Sequence, residues 1–246
     1  MKIIPLSEGS FTIDKTKIFV PFKEDADELT SRPNGSLLVE VQPFVVITSK
    51  DVLLLDTGLG FSIEGTLQLY QNLQKNGIQP SQVSKVLLTH LHKDHAGGVS
   101  EKDAAGSYNL SFPNATYYVQ KQELNFAIET GSPSFMPEEI SLLQHNERVI
   151  LLEGNGVIDD SIRYELTGGH SPFHQVFWIE EDGQTIFFGG DEAPQLGQMK
   201  RKVVAKYDFD GKKANDMRQQ WWEQGQKEKW TFLFYHDVKL PIWPDA

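Results

Sequence analysis

The chain contains no cysteine. Disulfide bonds, thiolate metal ligands and a cysteine nucleophile are therefore excluded, and any bound metal must be held by nitrogen and oxygen atoms. The 246 residues also lack an apolar run long enough to cross a membrane, and residues 1–8 lack the apolar core of a signal peptide. From these absences we expect a cytoplasmic protein that does not associate with a membrane.

Basic side chains are scarce as well. The 23 Lys and Arg residues are outnumbered by 34 Asp and Glu residues, which gives a formal net charge of −11. This charge repels nucleic-acid backbones and anionic membranes. One basic cluster, residues 200–202 with Lys206, has no interleaved aromatic residues and is typical of a solvated face. We expect a small-molecule substrate and no nucleic-acid partner, while the oligomeric state stays open.

Short runs rich in β-branched and aromatic residues alternate with segments of helical periodicity. Strands are predicted at residues 17–20, 37–41, 44–48, 52–55, 85–88, 115–119, 149–152, 163–166, 185–188 and 230–234, and helices at residues 66–76, 121–129 and 137–147. Residues 196–226 are compatible with a helix, in which Trp221 and Trp222 are expected to anchor the core. The alternation predicts an α/β fold, and the length fits one domain covering residues 1–246.

The densest chemical signal lies directly after the apolar residues 86–88. Three of the seven histidines and one aspartate fall within six positions, as His90, His92, Asp94 and His95. Imidazole nitrogens and carboxylate oxygens are the ligands that suit zinc and its chemical neighbours. Unrelated surface histidines would rarely cluster so closely. We therefore interpret this segment as half of a metal site.

Further candidate ligands also follow apolar runs. His170 comes after residues 163–166, Asp191 after residues 185–188, and His236 after residues 230–234. If these strands point the same way, their carboxyl ends meet at one rim. Asp56 directly follows residues 52–55 and would by default form a turn. Beside a metal motif, its carboxylate is instead expected to hydrogen-bond a metal ligand without binding the metal itself.

These residues resemble the metallo-beta-lactamase superfamily in its dinuclear hydrolase form. The resemblance spans nearly the whole chain and is carried by residues 55–58, 90–95, 169–174 and 190–191 and by His236. It implies a four-layer αββα sandwich of two mixed β-sheets flanked by helices, with the site on their shared rim. It also implies a ligand set in which His90, His92 and His170 hold one ion, Asp94, His95 and His236 hold the other, and Asp191 bridges them.

The implied activity is that of a dinuclear zinc hydrolase, although the ligand types also suit manganese or iron. Metal coordination lowers the pKa of water from about 15.7 to about 7, so a metal-bridging hydroxide is available near neutral pH. Asp94 is assigned a second, catalytic role, either orienting the hydroxide or passing its proton to the leaving group. The expected substrate is a small ester, lactone or thioester.

Chain length and ligand order are most similar to quorum-signal lactonases and related organophosphate hydrolases. The lactonases carry a tyrosine three places after the bridging acid, where this chain has Pro194. Gly168 and Phe173 also differ from the usual Pro and Gly beside His170. Tyr207 is a candidate source of the missing hydroxyl, and the residues that bind substrate are otherwise unassigned.

Three alternatives stay open. A phosphoester or phosphotriester hydrolase would use the same ions and predicts cationic or aromatic groups lining the rim. A mononuclear iron oxygenase would use His90, His92 and either Asp191 or His170, with about one iron per chain. A non-catalytic metal-binding module would load both metals and turn over no substrate.

Overall fold

Two six-stranded mixed sheets form the centre of the fold in a computed structural model that describes residues 1–23 and 25–244. The strands are β1 (Lys2–Pro5), β2 (Gly9–Ile13), β3 (Val20–Phe22), β4 (Leu37–Val41), β5 (Phe44–Ile47), β6 (Val52–Leu55), β7 (Ser62–Ile63), β8 (Thr66–Leu67), β9 (Lys85–Leu87), β10 (Ser100–Lys102), β11 (Tyr108–Leu110), β12 (Thr116–Gln120), β13 (Val149–Leu152), β14 (Gly156–Ile158), β15 (Ile162–Leu166), β16 (Gln175–Glu181), β17 (Gln184–Phe188), β18 (Thr231–Leu233) and β19 (Ile242–Trp243). The α-helices are α1 (Gln68–Lys75), α2 (Lys93–Ala96), α3 (Lys121–Thr130), α4 (Pro137–Ile140), α5 (Leu196–Lys200) and α6 (Gly211–Glu228).

Strand direction places several strand ends together. The first sheet has the order β1-β5-β6-β9-β12-β13 and is parallel from β6 to β13. The second has the order β14-β15-β16-β17-β18-β19, in which β15 and β17 are both antiparallel to β16 and β17 is parallel to β18. Within each sheet, the strands that precede the candidate ligands therefore point the same way.

Three apolar clusters define the layers. The inner faces of the sheets pack on each other through side chains such as Leu55, Leu87 and Phe188. Helices α1 and α3 cover the outer face of the first sheet, and α5 and α6 cover that of the second. Each large apolar side chain that is fully buried contributes about 1.5–3 kcal/mol. The predicted αββα sandwich is confirmed.

The tryptophan pair belongs to the core. Trp221 is buried on α6, with its ring centroid 5.1 Å from that of Phe187 and 6.2 Å from that of Trp178. Trp222 is half-buried and packs against Phe232 at 5.2 Å. Both rings contribute to the apolar cluster on the outer side of the second sheet, as the sequence predicted.

Two helix predictions are wrong in their extent. Residues 196–226 form two helices rather than one, because Asp210 caps the start of α6 by accepting a hydrogen bond from the Lys213 N–H at 3.0 Å. The predicted helix at residues 137–147 is α4 followed by a 3₁₀ turn at Ser141–Gln144. Among the helices of the described residues, none combines the length and apolar character needed to cross a membrane.

The predicted strand at residues 17–20 is also wrong. The Asp14 carboxylate accepts a hydrogen bond from the Thr16 N–H at 2.9 Å, and Lys17 has a left-handed φ of 59°. The chain therefore turns here and only then enters β3. This turn joins β2 to β3 in a small antiparallel sheet of order β3-β2-β4.

Candidate metal centre

Four segments at one edge of the sandwich carry the candidate ligands. His90 and His92 follow β9, and α2 presents Asp94 and His95. His170 follows β15, and the remaining two, Asp191 and His236, follow β17 and β18. These positions agree with the rim that the sequence predicted.

A glycine pair lets the segment after β9 approach the loop after β6. A Cβ atom at Gly97 would lie 2.4 Å from the backbone of Leu59, and one at Gly98 would lie 2.2 Å from the carbonyl oxygen of Thr57. Because a Cβ atom cannot approach other atoms so closely, the two positions that directly follow α2 require glycine.

The first cluster joins His90, His92, His170 and Asp191. His92 Nδ1 lies 2.9 Å from His90 Nε2 and 3.1 Å from His170 Nε2. Asp191 Oδ2 lies 3.1 Å from the same His170 nitrogen. One ligand atom from each of the four residues lies within 4.8 Å of all the others.

The second cluster joins Asp94, His95 and His236. His95 Nε2 and His236 Nε2 are 3.4 Å apart, and Asp94 Oδ2 lies 3.7 Å and 3.5 Å from them. The other oxygen of Asp191, Oδ1, lies 3.2 Å from His95 Nε2 and 2.9 Å from His236 Nε2. Asp191 therefore directs one carboxylate oxygen to each cluster, and the structure brings all seven predicted ligands together.

The donor atoms fit metal ions because several of them carry lone pairs that face one another. The outer nitrogen of His95 lies 2.8 Å from Asp56 Oδ2, that of His170 lies 2.9 Å from Asp208 Oδ1, and that of His236 lies 2.6 Å from the carbonyl oxygen of Glu40. Since these oxygens only accept hydrogen bonds, each outer nitrogen must donate, which leaves the inner nitrogen free to bind a cation.

Asp56 contacts His95, one of the candidate ligands, from the side away from the second cluster. Its Oδ1 accepts a hydrogen bond from the Thr89 N–H at 2.7 Å, and its Oδ2 accepts one from the Thr89 hydroxyl at 2.8 Å as well as the bond from His95. The carboxylate is completely buried, and burial raises its pKa although these hydrogen bonds oppose the effect. Asp56 thus links the start of the histidine motif to a ligand in the second cluster.

Sequence reasoning missed three supporting side chains. Asp208, which bonds His170, has a fully buried side chain and lies between α5 and α6. Glu192 Oε1 accepts hydrogen bonds from the N–H groups of Gly169 and His170 at 2.7 and 2.9 Å. His174 Nε2 accepts one from the Asp191 N–H at 3.2 Å. Of the three, only Glu192 and His174 stand beside motif residues, while no local pattern marks Asp208.

The electrostatics divide the histidines into two groups. Burial, followed by the charge of neighbouring His95, holds the pKa of His90 well below its usual range. Burial also acts to lower the pKa of His95, but the charges of Asp191 and Asp94 outweigh it and raise that pKa well above the usual range. Ions that bind at the second cluster must therefore displace protons.

Glu8 is a buried carboxyl beside the centre that belongs to neither cluster. Its Oε2 accepts a hydrogen bond from the Leu59 N–H at 2.7 Å. Burial raises its pKa from 4.5 to about 8, with the Leu59 bond opposing the shift and the charge of Asp94 adding to it. Folded protein therefore keeps this proton at pH values where the unfolded chain has lost it, and stability falls as the pH rises from 4.5 towards 8.

We expect Glu8→Gln to remove this pH dependence. The free energy of unfolding of the natural chain, relative to the variant, should fall by about 2 kcal/mol between about pH 5.5 and pH 7.5. Urea titrations of both proteins at the two pH values measure the free energies of unfolding. The protonation of all other groups contributes equally to both proteins and cancels in the difference. An equal difference at the two pH values would contradict a protonated Glu8.

A cavity of about 780 Å³ opens onto the centre. Apolar side chains that include Ile13, Phe19 and Leu37 form part of its wall. Pro194 lines it without a hydroxyl, whereas Tyr207 lines it with its ring centroid 6.0 Å from that of His170. The volume is in the range of cavities that bind small molecules.

Comparison with known proteins agrees with this geometry. Residues 39–217 match the family model described as the metallo-beta-lactamase superfamily. An N-acyl homoserine lactonase from Bacillus thuringiensis is 25% identical over 228 residues, which cover 84% of this chain and 85% of the relative. The solved structure of a probable metal-dependent hydrolase from Staphylococcus aureus has a TM-score of 0.80 at 22% identity, covering 98% of this chain and 91% of the other.

A second solved structure, the dizinc quorum-quenching lactonase AidC in complex with a product, has a TM-score of 0.72 at 21% identity. The alignment covers 98% of this chain and 88% of the lactonase. At such identities the two structures support the fold, whereas the family model covers most of this sequence directly. The chain therefore belongs to the metallo-beta-lactamase superfamily.

Proposed function

We propose that the protein is a metal-dependent hydrolase that uses two divalent ions, zinc by the chemistry of the donors, to cleave a small ester, lactone or thioester. The observation that carries this proposal is the pair of donor clusters joined by the two oxygens of Asp191. The curated relative that acts on N-acyl homoserine lactones supports the choice of bond.

In this proposal His90, His92 and His170 would hold one ion, Asp94, His95 and His236 would hold the other, and Asp191 would offer one carboxylate oxygen to each. Bound there, the ions would polarise a carbonyl oxygen and make hydroxide available near neutral pH. Nitrogen and carboxylate donors in this number are typical of zinc, and manganese or iron would also be accommodated.

Asp94 supplies the proton transfer. Its Oδ2 faces the two histidines of the second cluster, which leaves Oδ1 to accept a proton from the attacking water and to pass it to the leaving oxygen or sulfur as the acyl bond breaks. The Tyr235 hydroxyl donates to the carbonyl oxygen of Asp94 at 2.6 Å, and its ring stacks on His95 at 4.0 Å. These contacts hold α2, and with it the carboxylate, in place.

Tyr207 supplies a hydrogen-bond donor on the cavity wall. Its hydroxyl oxygen accepts a bond from Gln198 Nε2 at 2.9 Å, which leaves its O–H to donate to a substrate carbonyl. Burial raises the pKa of Tyr207 to about 12, so the hydroxyl keeps its proton at neutral pH. In this role Tyr207 takes the place of the hydroxyl that Pro194 lacks.

A phosphoester hydrolase is the second candidate, because four lysines and the aromatic side chains of Phe19 and Tyr207 line the cavity. Cationic and aromatic groups are what this alternative predicts for the rim. A mononuclear oxygenase is less well supported, because the residues of the second cluster lie together as well as those of the first.

Elemental analysis of the purified protein, followed on the same sample by an ester, lactone, thioester and phosphoester hydrolysis screen, tests the proposal. We expect about two zinc ions per chain and turnover of the acyl substrates. About one iron per chain without hydrolysis would favour the oxygenase. Two loaded metals without turnover of any substrate would favour a binding module.

A further inference from the structure

Four lysines line the cavity that opens onto the metal centre. The cavity lining includes Lys15, Lys17, Lys93 and Lys206, and among the described lining residues outside the ligand set Asp14 is the one carboxylate. This local excess of positive charge occurs in a chain whose formal net charge is −11. A concentration of one sign that opposes the overall charge attracts ligands of the opposite sign.

Among the residues that the structure describes, the lysines of this cavity form no ion pairs. Within residues 1–23 and 25–244, the lysines that form salt bridges are Lys85 and Lys121, and neither lines the cavity. The Nζ atom of Lys93 lies 6.0 Å from the centroid of the Phe19 ring, at the outer limit of a cation–π contact. The ammonium groups around the cavity are thus available to an anion.

Lys17 carries an additional signal in its backbone. Its φ of 59° lies in the left-handed region, where a residue with a Cβ is disfavoured by roughly 1–2 kcal/mol and glycine is the usual choice. The Lys17 N–H donates to the Asp14 carbonyl oxygen at 3.0 Å, which closes the turn, and the side chain is half-buried. Residues held in sparsely populated backbone regions cluster at functional sites, so a lysine kept in this conformation beside the cavity is a candidate for a functional side chain.

We propose that the natural substrate carries a negatively charged group, a carboxylate or a phosphate, at a distance from the bond that is cleaved, and that Lys17 binds this group together with Lys15 and Lys206. The apolar part of the substrate lies against the wall formed by Ile13 and Phe19. This inference rests on the proposed hydrolysis at the metal centre, and it specifies in addition that the substrate is negatively charged.

The chain offers a matched pair of variants. Lys17→Gly removes one positive charge and relieves a left-handed backbone, and Lys229→Gly does the same at an exposed residue that also has a φ of 59°. Lys229 ends α6 and is absent from the cavity lining. Both variants should fold at least as well as the natural chain, so a difference between them reports on the cavity.

The metal-loaded proteins are assayed on two esters of equal length, 4-nitrophenyl hexanoate and the 4-nitrophenyl monoester of hexanedioic acid. We expect the natural chain to prefer the anionic ester. Lys17→Gly should lower kcat/KM for the anionic ester by about 10-fold or more, as expected for a lost charged hydrogen bond, and change that for the neutral ester less than about twofold. Lys229→Gly should alter neither.

Binding of hexanesulfonate, a weak metal ligand that cannot be hydrolysed, separates the two proposals. Calorimetric titration should show weaker binding to Lys17→Gly than to Lys229→Gly, and the difference should shrink as salt is added. If neither ester is cleaved but this difference is present, the hydrolase proposal fails and the anion site stands. Equal binding to both variants, or equal loss on both esters, would overturn the anion site.

Discussion

His92→Ala is expected to release one of the two bound ions and to lower kcat/KM for acyl substrates by about 10²–10³-fold. His92 Nδ1 is the nitrogen that both His90 Nε2 and His170 Nε2 approach, at 2.9 and 3.1 Å, so its removal opens the centre of the first cluster. The second cluster keeps all of its donors. Metal content should therefore fall from about two ions to about one per chain rather than to zero.

His145→Ala is the control for this experiment. His145 is exposed and contributes to neither cluster. Metal analysis by mass spectrometry and initial rates at saturating metal should give natural values for this variant. Unchanged metal content and turnover in His92→Ala would refute the assignment of His92 as a ligand.

Asp56→Asn is expected to lower the affinity for the ion of the second cluster by about 10–100-fold, while the protein remains folded. Asn tolerates the left-handed φ of 55° at this position, and its carbonyl oxygen still accepts the bond from the Thr89 N–H. Its amide NH₂ then faces His95 Nδ1. That nitrogen must become an acceptor, which moves the proton to Nε2 and removes the lone pair that would bind the metal.

Asp160→Asn is a suitable comparison, because Asp160 is exposed and has a similar φ of 62°. Metal titrations should give natural affinities for this variant and a weakened second ion for Asp56→Asn. Thermal unfolding in excess metal checks that both variants remain folded. Two ions bound with natural affinity to Asp56→Asn would show that the carboxylate does not set the tautomer of His95.

Local sequence patterns predict much of the architecture. The runs that became β4, β5, β6, β9, β12, β13 and β17 were recognisable because buried strands are short and rich in branched residues. The turn at Asp14 and the start of α6 at Asp210 were not predicted. Side-chain hydrogen bonds set both of them, and the apolar pattern of the sequence does not show such bonds. Whether residues 1–246 form one domain stays a prediction.

The sequence by itself pointed to the seven candidate ligands, since each is a nitrogen or oxygen donor in a segment that follows a strand and matches the motifs of the family that the chain resembles, and it also pointed to Asp56. Only the tertiary structure decided which atoms face each other, because His95 and His236 are separated by 141 residues along the chain. The same is true of Asp208 behind His170 and of the lysines that share the cavity with the centre. Contacts of this kind depend on how the two sheets and their loops pack, and no local pattern encodes them.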